Sequence, residues 1–330
     1  MGILDTSKPV SISELNKMQK VLSHRGPDDN GLHISSMSNV EGSLLNNIGV
    51  AFDRLSIRDL SQNGHQPMFS TDNQVMIAFN GEIYNSEELR PFLIHNGCTF
   101  RGSSDTEVLI NLYQKVGVDR MLEMIDGMFA ICLVDFRQRI VYLIRDKIGE
   151  KPLYVYQKNN LLMFASEYKA FYASDRFKAE IDNSAVDEYF MFRYVSCEQT
   201  FLKGVRNIEP GTYLKIQETS LQSIHYWNIP LKSINQESFD EIKSEFEKLI
   251  EKSVRRRLLS DRPIGLQLSG GVDSSYLCHL VKEKTHRKLN TYCITFDNKS
   301  FSEEKYIDYV NEKLWGGNMQ ENTHSQLIYL

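Results

Sequence analysis

No two cysteines in this 330-residue sequence are spaced as Cys-x-x-Cys, and the five present (Cys98, Cys132, Cys197, Cys278, Cys293) are odd in number and far apart. Both a disulfide framework and a thiolate zinc site are disfavoured, and reduced thiols of a cytoplasmic protein are expected. No apolar run approaches the ~20 residues a membrane-spanning helix needs, so no membrane partner is expected. The stretch Met1 to Glu14 lacks a basic region followed by an apolar one, which argues against a secretory leader. Met1-Gly2 with Thr6 fits the N-myristoylation pattern, but that pattern is too loose to weigh. Neither charge sign dominates: 43 acidic residues face 38 basic ones, for a formal net charge of -5. Nothing in that balance calls for a nucleic-acid partner. The triplet Arg255-Arg256-Arg257 sits in a helical pattern and reads as a solvated helix end.

What is present is the 41% apolar, 25% charged composition of a globular chain, long enough for two domains. Asn47–Asp53, Gln74–Asn80, Met128–Asp135 and Ile140–Arg145 are β-branched or aromatic runs bounded by Gly, Asn or Asp, and predict strands. Ile12–Leu22 and Thr106–Val116 have helical spacing, the second capped by Ser103 or Ser104 with Asp105 and Glu107 in its first turn. A sheet-rich α+β layer structure follows. The texture changes near Leu231. Phe239–Arg257 predicts an amphipathic helix with Phe246, Leu249, Ile250 and Val254 on one face. Strand Ile264–Leu268, helix Ser274–Glu283, strand Thr291–Phe296 and helix Glu303–Leu314 then alternate, the pattern of a parallel α/β sheet. The expected division is 1–205 for the first domain, 206–238 for a linker and 239–330 for the start of the second.

Between that strand and helix lies Leu268-Ser269-Gly270-Gly271-Val272-Asp273-Ser274-Ser275. Paired glycines allow close approach of a phosphate, and the helix behind them turns its unpaired N–H groups to the same point. Ser269, Ser274 and Ser275 can donate hydroxyl hydrogen bonds. Asp273 would repel a phosphate unless Mg2+ stood between them. The loop lacks a Walker ending, so γ-phosphoryl transfer is not its signature.

In the first half, one ordered series of motifs stands out: Ser23-His24-Arg25-Gly26-Pro27-Asp28-Asp29, Arg54-Leu55-Ser56-Ile57, Gly64-His65-Gln66-Pro67-Met68 and Phe79-Asn80-Gly81-Glu82-Ile83-Tyr84-Asn85. Ser104-Asp105-Thr106-Glu107, Asp126-Gly127-Met128-Phe129-Ala130, Arg145-Asp146, Gly149-Glu150-Lys151-Pro152-Leu153-Tyr154 and Phe164-Ala165-Ser166-Glu167 continue it. Arg54 is suited to a two-pronged grip on a carboxylate, and Glu82 and Asp105 to an ammonium group. In isolation Arg54 would read as a salt-bridge residue and Asn80-Gly81 as a hairpin turn. Together, residues 20–170 resemble the class II glutaminase domain of asparagine synthetases, and the SGGxDS loop resembles that of ATP pyrophosphatases.

The resemblance implies an N-terminal-nucleophile αββα sandwich followed by an incomplete parallel-sheet ATP pyrophosphatase domain. It implies a glutamine-dependent ligase that uses ATP, Mg2+, aspartate and glutamine, with a homodimer left open. Asn80 and Gly81 would form the oxyanion hole, with Arg54, Glu82 and Asp105 holding glutamine. Leu268, Ser269, Gly270, Gly271, Asp273, Ser274, Ser275 and Ile294 would hold ATP, with Asp273 on Mg2+. His24, His65 and the Asp28-Asp29 pair read as loop-organising residues, and Cys98 as a structural thiol.

In that family the mature chain opens on a nucleophilic cysteine in a Cys-Gly-Ile strand. Here Met1-Gly2-Ile3-Leu4-Asp5 resembles only the end of that strand. The expectation is therefore a chain lacking its nucleophile and part of a buried strand, and stopping before the synthetase domain is complete. A β-lactam synthetase or sugar amidotransferase relative with a degenerate glutaminase domain is the enzymatic alternative. A non-catalytic glutamine-binding fragment is the other.

Overall fold

A computed structural model describes residues 1–196, 198–230, 237–285, 290–293 and 302–315. The chain divides into two units, Met1–Pro230 and Leu231–Leu330.

The first unit contains β1 (Gly2–Asp5), α1 (Ile12–Lys20), β2 (Asp29–Ser35), β3 (Asn47–Arg54), β4 (Met68–Phe69), β5 (Val75–Ile83), α2 (Ser86–His95) and α3 (Asp105–Met124). It continues through β6 (Gly127–Asp135), β7 (Ile140–Arg145), β8 (Tyr154–Lys158), β9 (Leu161–Ala165), α4 (Asn183–Phe192), β10 (Val205–Asn207), β11 (Thr212–Gln217) and β12 (Ser220–His225). The strands make two six-stranded sheets, ordered β10-β8-β9-β1-β3-β2 and β12-β11-β7-β6-β5-β4, with antiparallel pairing at every ladder.

Side-chain alternation explains why several strands are apolar at every position. Successive residues of a strand face opposite sides. Thus Leu4, Val50, Leu162 and Phe164 meet Met76, Ala78, Cys132 and Val134 between the sheets. Their neighbours Ile3, Ala51, Met163 and Ala165 face Leu15 and Met18 of α1. On the other outer side, Ile77, Phe79, Ile131 and Leu133 face Leu93, Leu109 and Leu112 of α2 and α3. Burial on both faces of both sheets gives the αββα layering that the motifs implied.

Gly2–Asp5, read above as the end of a strand, is a buried strand in the middle of its sheet, paired with Asn47–Val50 of β3 and Leu161–Phe164 of β9. Two expectations change. Residues 206–225, expected in the linker, are structured: β10 pairs with β8, and β11 with β7 and β12. Pro210-Gly211, which suggested a break, merely turns the chain from one sheet to the other. α3 outruns its expected end at Val116 because Gly117 adopts φ +76° and joins two helical segments across a kink.

The second unit contains α5 (Phe239–Arg257), β13 (Gly265–Gln267), α6 (Val272–Thr285), β14 (Asn290–Tyr292) and α7 (Glu304–Trp315). β13 and β14 pair in parallel, as strand–helix alternation requires. Leu268, Cys278 and Ile307 form its buried centre. α5 begins on a capping box, in which Ser238 and Glu241 satisfy each other's backbone N–H groups. Its expected apolar face is only partly covered: Ile250 and Val254 are half-buried, while Phe246 and Leu249 are exposed. No helix among the described residues is long and apolar enough to cross a membrane.

Candidate functional site

One cavity of the first unit, of about 210 Å³, gathers most of the residues singled out above: Arg54, Asn80, Gly81, Glu82 and Asp105 all line it. That volume lies below the ~300–1,000 Å³ typical of ligand pockets and suits one small metabolite. Asn80 and Gly81 lie within β5, opposite Ala130 and Phe129 of β6, and not in a turn. Gly81 has φ +156°, and a Cβ there would stand 2.0 Å from the Met128 carbonyl oxygen. Only glycine allows β5 and β6 to close at this point. The Asn80 side-chain amide donates to Ser166 Oγ at 3.3 Å.

Asp105 is the first residue of α3 and accepts the Ile83 N–H at 3.0 Å, so the helix start is fastened to the end of β5. Burial pushes its carboxyl above the ordinary value. Glu82 is raised by burial and by Asp105, while Arg58 and Lys151 pull it down. Two crowded acids in a poorly solvated wall favour a ligand cation beside them. Lys151 reaches the wall because buried Asp146 accepts N–H groups from Ile148, Glu150 and Lys151 itself, folding the 146–151 turn around one carboxylate.

Arg54 lines the cavity and is bonded to the main chain that follows it. Its Nη2 donates to the carbonyls of Arg58 (2.9 Å) and Asp59 (2.6 Å), and Nη1 to that of Ser61 (3.3 Å). Gly64 leaves room for this guanidinium, since a Cβ there would lie 1.9 Å from Nη2. Such a buried guanidinium holds the 58–61 turn from the wall of the cavity that it lines.

Arg25, Lys151 and Ser166, which lie inside the motifs, and Asp53 and Arg58, which flank Arg54-to-Ile57, also line the cavity, and the sequence reading assigned them no role. Arg58 directly follows the Arg54-to-Ile57 motif, and Lys151 lies inside Gly149-to-Tyr154, so membership of a motif or adjacency to one was the available signal. Arg25 is tied to Glu167 at 2.9 Å, and His24 to the same oxygen at 3.0 Å. Burial outweighs the neighbouring positive charge at Asp53 and raises its carboxyl to about 6. His65 pairs with Asp29 at 2.8 Å, consistent with a loop-organising role. Cys132 also lines the cavity, but burial pushes its thiol up to about 12, which keeps it protonated and unreactive at neutral pH.

In the second unit, buried Leu268 ends the strand and donates its N–H to the Tyr292 carbonyl at 2.8 Å. Gly270 has φ +76°, and α6 starts two residues later. Ser269 Oγ and Ser274 Oγ are 3.0 Å apart, while Ser274 donates to the Gly271 carbonyl at 3.2 Å. Ser275 Oγ is buried without a hydrogen-bond partner. A phosphate oxygen at the helix start would relieve that orphaned hydroxyl, so the loop fits a nucleotide phosphate. Asp273 is exposed, and no group of three or more candidate metal ligands occurs among the described residues. Mg2+ at Asp273 would take its remaining ligands from phosphate and water, as that ion commonly does. Ile294 lies outside the described residues.

Comparison with known proteins agrees with both halves. Residues 1–227 match the family described as glutamine amidotransferase domain, and residues 245–322 match asparagine synthase. A relative from Methanocaldococcus jannaschii is 35% identical, over 94% of this chain and 61% of its own length. Asparagine synthetase (glutamine-hydrolyzing) 1 of Bacillus subtilis is 34% identical, over 90% of this chain and 44% of its own length. The chain therefore spans roughly half the length of these relatives. Among solved structures, glutamine phosphoribosylpyrophosphate amidotransferase from B. subtilis, complexed with ADP and GMP, superposes with a TM-score of 0.51 at 18% identity. The match covers 90% of this chain and 66% of that one, and it supports the αββα fold. Through its first unit the chain belongs to the glutamine amidotransferase domain family, and residues 245–322 of its second unit are similar to asparagine synthase.

Proposed function

We propose that this chain is the glutamine-binding and nucleotide-loop part of a cytoplasmic, glutamine-hydrolysing asparagine synthetase. That ligase would convert ATP, aspartate and glutamine to asparagine, glutamate, AMP and pyrophosphate. The observation that carries the reading is the acid pair Glu82 and Asp105 on the same small cavity as Asn80 and Gly81. Glutamine has a cationic end for the acids, and its amide oxygen needs donors as it becomes tetrahedral. The Asn80 side-chain amide and the Gly81 N–H are donors of that kind. In the second unit, the Gly270-Gly271 turn, the N–H groups at the start of α6 and the Ser275 hydroxyl would bind ATP phosphate. ATP activates the acceptor carboxylate when bound, and Mg2+ beside Asp273 would offset charge repulsion at that position.

Glutamine binding is measurable without turnover. A ligand at 100 times its dissociation constant stabilises the native state by about 2.7 kcal/mol, or roughly 5–10 °C in melting temperature for a unit of this size. L-Glutamine should raise the melting temperature of the chain, and L-asparagine, one methylene shorter, should raise it less. A folded chain whose melting curve ignores glutamine at tens of millimolar would overturn the reading.

A further inference from the structure

β5 carries Asn80 and Gly81, the donors proposed above for the amide oxygen. Its edge away from β6 needs a partner for each main-chain group buried there. β4 supplies partners over only two residues, with Met68 opposite Ile77 and Phe69 opposite Met76. Carried two residues back along the chain, that register would set Gln66 opposite Phe79. The main chain of Gln66 is packed against β2 instead, where a Cβ on Gly31 would lie 2.2 Å from the Gln66 carbonyl oxygen. The Gln66 side chain takes its place at β5. The Phe79 N–H donates to Gln66 Oε1 at 2.6 Å, and Nε2 donates to the Phe79 carbonyl at 3.3 Å. A carboxamide holds both a donor and an acceptor, as a peptide group does, so this side chain replaces one rung of a ladder. Nε2 also donates to Thr106 Oγ1 at 3.3 Å. Gln66, Phe79 and Thr106 are all buried.

In an antiparallel strand every second residue turns its N–H and carbonyl to the same edge. Phe79, Gly81 and Ile83 therefore share the edge of β5 that faces away from β6. Gln66 closes that edge at Phe79. Asp105 closes it at Ile83, whose N–H it accepts at 3.0 Å. Gly81 lies between these two caps and lines the cavity. The caps are themselves joined, because Thr106, the second partner of Gln66, directly follows Asp105 in the first turn of α3.

We propose that Gln66 is a positioning residue of the glutamine site. Through Phe79 it sets where the Asn80 and Gly81 donors stand, and through Thr106 it fixes their distance from Asp105, an acid for the ligand's ammonium group. This rests on the glutamine reading above and deepens it. The property controlled in this way is the spacing between the carboxamide and the α-ammonium group of the ligand. That spacing is what separates glutamine from asparagine, one methylene shorter.

The test compares L-glutamine with L-norvaline, which keeps glutamine's amino-acid end but has a methyl group in place of the carboxamide, by calorimetric titration of the full chain. Norvaline can make no hydrogen bond to Asn80 or Gly81. Wild type should prefer glutamine by about tenfold, the scale of a net hydrogen bond. Gln66→Met, similar in shape but without the amide, should bring that ratio close to one while leaving norvaline binding within about threefold. Thr106→Val removes only the link to α3 and should lower the ratio by about threefold, whereas Thr106→Ser keeps the hydroxyl and should retain it. That pair is the readout if the methionine variant fails to fold. An unchanged ratio overturns the proposal, and so does an equal loss for both ligands, which is what a purely structural role would give. Wild type binding norvaline as tightly as glutamine overturns the Asn80 and Gly81 donors and the proposal with them. Wild type binding neither compound overturns the glutamine reading itself, and the Gln66 assignment falls with it.

Discussion

Glu82 shows how far a residue's neighbours decide its chemistry. Burial and Asp105 raise its carboxyl, so the native state holds its proton more tightly than the unfolded chain does. Without ligand, this group lowers stability as pH rises from the ordinary glutamate value of about 4.3 through the higher folded one. An ammonium ligand requires the ionised form, so the trend for binding is the reverse. Glutamine affinity should fall as pH drops from about 7 to about 5, a range in which the ligand keeps its own charges. The fall is at most about tenfold per pH unit for each proton taken up. Glu82→Gln should weaken binding at pH 7 and flatten the profile, as titration calorimetry at several pH values would register. A flat wild-type profile would remove Glu82 from the ammonium site. At this scale the motifs disclosed which residues gather at the cavity, because their order along the chain is distinctive. They did not disclose that Arg54 would turn to three main-chain carbonyls, since that depends on where residues 58–61 run.

β1 illustrates the same division for an element. Its four residues are buried at the centre of a sheet, and the chain leaving it is fastened by Arg176. That side chain, 3% exposed, donates to Asp5 Oδ2 at 2.5 Å, to both Glu14 oxygens at 2.9 and 3.0 Å, and to the carbonyls of Lys8 and Pro9. Burial would raise Asp5, but the N–H groups of Lys8 and Ser7 and the Arg176 guanidinium outweigh it and lower the carboxyl. Glu14 behaves likewise, with Arg176 and the Ser174 hydroxyl overcoming burial. Depressed carboxyls stabilise the fold above their unfolded values, near pH 4, and that contribution disappears as pH falls through the folded values. Arg176→Leu would leave two largely buried carboxylates without their cation, at about 3–5 kcal/mol, or roughly 10 °C in melting temperature. The deficit should be full at pH 7 and should narrow as pH falls below about 4 and through the depressed folded values, where the wild-type carboxyls take up their protons. Thermal melts of the two proteins across pH would check this, and an equal deficit at pH 7 and pH 3 would contradict it. The residues of the clasp are separated by more than 160 positions, beyond the reach of any local pattern.

For the whole molecule, the two units differ in how much apolar surface they bury. Three interlocked clusters fill the first. The described part of the second centres on Leu268, Cys278 and Ile307, and α5 exposes Phe239, Phe246 and Leu249. Local opening is cheapest where few apolar contacts must break. Brief trypsin treatment should therefore cut first within Leu231–Leu330 and leave a resistant fragment close to Met1–Pro230, identified by mass spectrometry. Early cuts inside the sheets of the first unit would contradict that order. The sequence by itself determined the element types, the two-unit organisation and the set of motif residues around the cavity. Those follow from side-chain periodicity and from short-range chemistry: Asn47–Asp53 and Phe239–Arg257 declare themselves within their own lengths. Only the tertiary structure decided that 206–225 completes both sheets, that Gly2–Asp5 lies between β3 and β9, and that Arg54 bonds to the carbonyls of Arg58, Asp59 and Ser61. Each of these depends on which distant backbone lies alongside, and the periodicity of a segment carries no information about its partner.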